Sequence, residues 1–107
     1  MNLQEYLDEA GRSPFGAWFG DLDARAAARV TVSLIRIEQG NLSNVEPVGS
    51  GVSECKINVG PGYRIYFGQD GADLVILLVG GTKKRQSRDI AAAKAMWADY
   101  KARKTKG

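Results

Sequence analysis

The chain has no histidine and a single cysteine, Cys55, among its 107 residues. Disulfide frameworks, zinc sites built on the usual Cys and His sets, and every histidine-based catalytic arrangement are thereby excluded. Long hydrophobic runs are missing too: no stretch approaches the roughly 20 apolar residues needed to cross a bilayer. The opening "MNLQEYLDEAGRSP" also lacks the basic-then-apolar order of a secretory signal. The expectation is a cytoplasmic protein with no membrane association. There is no internal repeat, low-complexity tract or linker-like segment, so residues 1–107 read as one domain with one modest core.

Charge is present but unevenly placed. The net charge is +3. From Thr82 onward nine cations face two acids, Asp89 and Asp99, whereas residues 1–81 carry six cations and ten acids. A basic C-terminal quarter points to a polyanionic partner or to an acidic protein that covers it. For Lys101 to Lys106 a solvated lysine-rich tail is sufficient explanation.

Local patterning gives the element order. "NLQEYLDE" alternates as a short first strand. In "SPFGAWFGDL", Ser13 is placed to cap a helix with Pro14 at its first position, and Phe15, Trp18, Phe19 and Leu22 fall on one face. Asp23 caps a second helix whose buried stripe is Ala27, Val30, Leu34 and Ile37, with Arg25, Arg29 and Arg36 off it, ending at Gly40. From Gly49 the period changes to two. "VSECKINV", "YRIYFG" and "DLVILLVGG" read as three antiparallel strands joined at Gly60-Pro61-Gly62 and Asp70-Gly71. The last is apolar on both faces, which predicts a central strand with another, the first, on its far edge. Ser87 is expected to cap a final helix through Ile90, Ala93, Trp97 and Tyr100. The sum is an α+β domain in the order β-α-α-β-β-β-α: a helical hairpin and a C-terminal helix on a small, mainly antiparallel twisted sheet, with the helices expected on one side.

The polar residues of the strands are arranged for chemistry. Alternation in "GPGYRIYF" puts Tyr63, Ile65 and Phe67 on one face and Arg64 and Tyr66 on the other. The tight Gly60-Pro61-Gly62 turn makes Glu54, Lys56, Arg64 and Tyr66 share a surface. "GGTKKRQ" adds Lys83, Lys84 and Arg85 just after two glycines that admit a bend or a close approach. Cations thus converge from three neighbouring strands. The plain alternative is a solvated cross-strand ion pair of Arg64 with Glu54, worth at most ~1 kcal/mol. Cys55 faces the core with no base beside it and reads as an inert buried thiol.

A catalytic version of this surface has narrow options. RNA can be cut without metal or histidine because its 2′-hydroxyl is a built-in nucleophile. The protein then needs proton transfer and charge stabilisation at one phosphate, and no cofactor. Arginine offers that phosphate a planar fork.

"GSGVSECKINVGPGYRIYF", "LLVGGTKKRQSRDIAAAK" and "LIRIEQGNLSNVEPVGSG" resemble the phage-derived addiction-module killer proteins, the HigB-like branch of the RelE/ParE toxin superfamily. The similarity covers nearly the whole chain. Its most specific pieces are "GPGYRIYF" and the pattern of Gly80, Gly81, Lys83, Gln86, Asp89 and Ile90. The chain departs from the family at Lys56, where arginine is frequent, and at Thr82, where aspartate is frequent. The resemblance implies a type II toxin that cleaves messenger RNA, often on the ribosome, and is neutralised by an antitoxin from the adjacent gene, expected to be a helix-turn-helix protein. It also implies that Arg64 and Lys83 or Lys84 stabilise the scissile phosphate, that Glu54 or Lys56 is the base, that Tyr66 or Arg85 assists the leaving oxygen, and that Arg85 and Arg88 contact RNA. The same fold implies two alternatives: a ParE-like toxin that blocks DNA gyrase, and an inactive copy that keeps only antitoxin binding.

Overall fold

The polar surface is positioned by a five-stranded sheet. The computed structural model of the chain describes residues 1–106. Along the chain run β1 (Asn2–Glu5), α1 (Pro14–Gly20), α2 (Ala24–Glu38), β2 (Val45–Gly49), β3 (Val52–Ile57), β4 (Tyr63–Asp70), β5 (Leu74–Thr82), a 3₁₀ turn (Lys83–Arg85) and α3 (Gln86–Lys106). In space the strands lie in the order β1-β5-β4-β3-β2. β1 pairs parallel with β5, and every other neighbour is antiparallel. The expected α+β class and element sequence are therefore found, with the first strand on the far edge of the apolar β5.

The caps work as the sequence implies. Ser13 accepts a hydrogen bond from the Gly16 backbone N–H at 2.9 Å and Asp23 accepts one from Ala26 at 2.8 Å. The α2 stripe is rotated slightly from expectation, with Ala26, Val30, Ser33 and Ile37 innermost and Leu34 partly buried.

Three features differ from the sequence reading. First, β2 is an additional edge strand carrying Pro47, a residue that an outer strand tolerates because it needs no N–H there. Second, the helices cover both faces of the sheet. Phe15, Val30 and Ile37 of the hairpin pack with Cys55, Ile57, Ile65, Phe67, Val75 and Leu77 on one face. Ala93 and Trp97 of α3 pack with Tyr6, Val52, Tyr66, Ile76 and Leu78 on the other. Two-sided cover is what an apolar central strand demands. Third, α3 is not capped by Ser87; the 3₁₀ turn Lys83–Arg85 runs straight into it at Gln86.

The β4–β5 ladder slips by one residue, since Tyr66 pairs with Val79 but Phe67 with Leu77. Leu78 is the extra residue of this bulge, so Leu78 and Val79 both contribute to the α3 side. Beyond it the paired glycines face opposite ways. A Cβ on Gly80 would lie 2.1 Å from the Trp18 ring, and one on Gly81 would lie 1.9 Å from Asp89 Oδ2. Their shared reason is close approach of side chains from both layers.

Candidate functional site

Register brings the predicted residues together. Glu54 on β3 lies opposite Tyr66 on β4, and Lys56 lies opposite Arg64. Arg64 is in turn the cross-strand partner of Gly81 on β5. The polar faces of the strands coincide, as the tight turn requires.

What differs is exposure. The surface expected to be solvated is roofed by the start of α3: Glu54 is 1% exposed, Tyr66 0% and Arg64 5%. The alternative reading, an Arg64–Glu54 ion pair, is not found; the described ion pairs on the sheet include instead Lys56 with Glu46, at 3.3 Å. Glu54 takes its hydrogen bonds from neutral donors. Tyr66 donates its O–H to Oε2 at 2.8 Å, and the Gln86 amide donates to Oε1 and Oε2 at 3.1 and 2.8 Å. Burial, reinforced by the hydrogen bond to Glu54, pushes the Tyr66 hydroxyl well above its ordinary value. Tyr66 is thus held as a proton-bearing donor to Glu54.

Two buried groups in this cluster lack partners. Arg64 Nε and Nη1 and Asp89 Oδ2 are all shielded from solvent and make no hydrogen bond. Asp89 is 9% exposed and projects from the first turn of α3. Burial raises its carboxyl above the usual range, against the pull of Arg85 and Arg88. A buried charge without a partner costs several kcal/mol, so a fold keeps one where something else is served.

The rim is basic. Lys83, Lys84, Arg85 and Arg88 are exposed. With Gln86 and Ser87 they line an open cavity of about 610 Å³ at the head of α3. The Lys83 backbone N–H donates to Gly62 O at 2.8 Å, which ties this turn to the β3–β4 hairpin. All the predicted site residues therefore lie around one end of the sheet, with Glu54, Tyr66 and Arg64 inside, Lys56 half-buried at the edge and the other cations on the rim. Cys55 sits on the opposite face, buried, with its thiol pushed up by desolvation.

Sequence reasoning named no role for Gln86 or Asp89. Their signal was the spacing in "GGTKKRQSRDI": Gln86 and Asp89 are three apart, so a helix presents both to the sheet.

A protein of Haemophilus influenzae (strain Rd), described as uncharacterized, is 37% identical over 83 residues, covering 77% of this chain and 84% of that protein. The two chains belong to one family. No protein-family model matches this member. Among the described residues, no helix is long and apolar enough to cross a membrane.

Proposed function

We propose that this family member is the toxin of a type II toxin-antitoxin system, a metal-independent endoribonuclease of the RelE/ParE superfamily that stops translation by cutting messenger RNA. The observation that carries the reading is Arg64: an arginine 5% exposed, on a central strand, with Nε and Nη1 buried and free of partners. An arginine kept only to hold the sheet would be paired, because an unpaired buried cation is destabilising. One kept to bind a phosphate needs those nitrogens free in the absence of ligand. The exposed Lys83, Lys84, Arg85 and Arg88 supply the attraction that draws a polyanion to the same end of the sheet.

In this reading Arg64 grips the scissile phosphate and stabilises charge gained in the transition state. Lys83 and Lys84 add potential at the rim. Glu54, held by Tyr66 and Gln86, braces the head of α3 against β3 and β4. The target places the protein in the cytoplasm, on or near the ribosome, and a toxin of this kind is restrained by the helix-turn-helix antitoxin made from the adjacent gene.

The test pairs an RNA-cleavage assay, with and without ribosomes, with a gyrase supercoiling assay. RNA cutting by the wild type, lost in Arg64→Ala, with supercoiling unaffected, is the expected result. Inhibited supercoiling without cleavage would establish the ParE-like alternative, and inactivity in both together with antitoxin binding would identify an inert copy.

A further inference from the structure

Over Ala24–Glu38, α2 carries three arginines and one acid, Glu38. Arg25, Arg29, Val32 and Arg36 recur at intervals of four, three and four, so they form one row along the helix. That row borders two adjoining cavities of about 270 and 450 Å³, which share Arg29 and Val59 and lie between α2 and the end of β3 with its Gly60-Pro61 turn. None of Lys83, Lys84, Arg85 or Arg88 lines either one. Arg25, Arg29 and Arg36 are exposed, and among the described residues no ion pair engages them. The acid in the lining, Asp23, is occupied with the Ala26 backbone N–H at 2.8 Å, and the fourth cation, Lys56, is held by Glu46. The groove is therefore basic, and its arginines have no counter-charge.

Its apolar lining is aliphatic, with Val32, Ile57, Val59 and Pro61. Val32 and Ile35, one turn apart on α2, are each 46% exposed. A single exposed aliphatic side chain is ordinary, but two on successive turns beside free guanidinium groups make a mixed strip. A nucleic-acid strand drawn to such cations is usually met by aromatic platforms on which its bases stack. The ring that lines this groove, Tyr63, is half-buried and set edge-on to Trp18 at 6.4 Å between centroids. Aliphatic contact next to unpaired arginines instead suits a surface that carries carboxylates and branched apolar side chains together, which is one face of a protein helix.

We propose that the groove beside α2 docks an acidic amphipathic helix of a partner protein, with carboxylates set against Arg25, Arg29 and Arg36 and aliphatic side chains against Val32 and Ile35. From Arg25 to Arg36 α2 rises roughly 16 Å, so the occupant needs about three turns, with acids repeating at the intervals of the arginines. The apolar contacts hold it, and the arginines set its register and speed its arrival. The surface does not depend on RNA cleavage. Lys56 lines the groove and lies opposite Arg64, so the occupant reaches the margin of the candidate site, but none of the three arginines belongs to that site.

The test is a titration of the isotopically labelled full chain, followed through its backbone amides. The probes are a synthetic helical peptide of about four turns with glutamates at the arginine intervals and leucines between them, the same peptide with lysine for glutamate, and octauridine. The glutamate peptide is expected to shift the amides of α2 and of Val59 to Tyr63, to leave Lys83 to Arg88 unmoved, and to bind more weakly as salt is raised. Arg29→Glu combined with Arg36→Glu is expected to weaken that peptide roughly tenfold or more and to make the lysine peptide the tighter ligand. Both positions are exposed, so the variant should melt near the wild-type temperature. Val32→Ser, which keeps every arginine, is expected to weaken the glutamate peptide as well. No binding at about millimolar peptide, shifts confined to Lys83–Arg88, or equal affinity for the two peptides overturns the proposal. Displacement of the peptide from α2 by octauridine also overturns it, by assigning the groove to nucleic acid. Binding of the glutamate peptide by a wild-type chain that cuts no RNA supports the docking surface and removes only the ribonuclease reading.

Discussion

Asp89 fills the space that any side chain at Gly81 would need. A Cβ at that position would come within 1.9 Å of its Oδ2. One glycine therefore does two jobs: it lets the head of α3 descend onto β5, and it brings a carboxylate beside the strand position facing Arg64. The same descent seals Glu54 and Tyr66, and the 3₁₀ turn leaves its three basic side chains outside. Burial of the acids and phenol and exposure of the rim cations are two results of one helix placement.

Gly81→Ala is accordingly expected to lift the start of α3. The neighbour that must give is a short side chain on a packed helix, so the cost is that of overpacking, about 1–3 kcal/mol. Chemical denaturation would read the loss directly. Gln86 would be pulled from Glu54 by the same movement, and activity should fall in proportion greater than stability. A variant as stable as the wild type would mean that α3 adjusts freely.

Asp89 also has a stability signature. Its carboxyl is raised in the folded state, so between the ordinary carboxyl range and the raised value the folded chain holds a proton that the unfolded chain has released. Stability then falls as pH rises through that window, and the loss is complete above it. Asp89→Asn removes this penalty. The variant is expected to be more stable than the wild type at about pH 7, with the difference shrinking toward about pH 4. Equal stability at neutral pH would show that the carboxylate is compensated in place.

Much of this architecture is legible in the sequence, and the failures are instructive. Ser13, Asp23 and the Gly60-Pro61-Gly62 turn each announce themselves through local chemistry, and the register of Glu54, Lys56, Arg64 and Tyr66 follows from the turn. Burial of that polar row does not follow. Alternation says which residues share a face but is silent on what covers it, and a row reading Glu, Lys, Arg, Tyr suggests water. The cover comes from α3, whose contact face is built of Ala93 and Trp97 together with the polar Gln86 and Asp89. Its apolar signal is weak because part of what it meets is polar. β2 escaped notice for a related reason: Pro47 and Gly49 mask a short edge strand whose exposed side chains show little pattern.

Arg64 is where stability and function can be separated. Replacing an unpaired buried cation by an apolar chain of similar length removes a desolvated charge without opening a large cavity. Arg64→Met is expected to fold, to melt at or above the wild-type temperature and to lose RNA cleavage and growth arrest. Loss of about 3–5 kcal/mol on this change would instead mark the arginine as half of a structural pair. Thermal melts beside a growth assay decide between these outcomes.

The far end of α3 is held differently, and the lysine-rich tail is less free than its composition implies. The Tyr6 O–H donates to Asp99 at 2.6 Å, and Arg103 pairs with Asp99 at 2.7 Å while reaching the Leu7 carbonyl. Tyr100 donates to Asp70 at 2.7 Å, and Lys104 bonds both oxygens of that carboxylate at 2.6 and 2.7 Å. These contacts lower the Asp70 carboxyl through Lys104 and Tyr100, lower that of Asp99 through Tyr6, and push the Tyr100 hydroxyl up to about 12. A carboxyl lowered in the folded state contributes stability that is present above its ordinary value and lost as pH falls through the folded one. Acidification below about pH 4 is therefore expected to loosen the C-terminal turns of α3 before the central strands open. The double variant Asp70→Asn with Asp99→Asn should show the same loosening already at neutral pH, seen as faster amide exchange from Trp97 onward. Removing Lys101 and Lys106, which make neither of these contacts, should leave that exchange unchanged. Loosening in the latter pair, or none in the double carboxylate variant, would show that Trp97 and the apolar seam alone keep the helix in place.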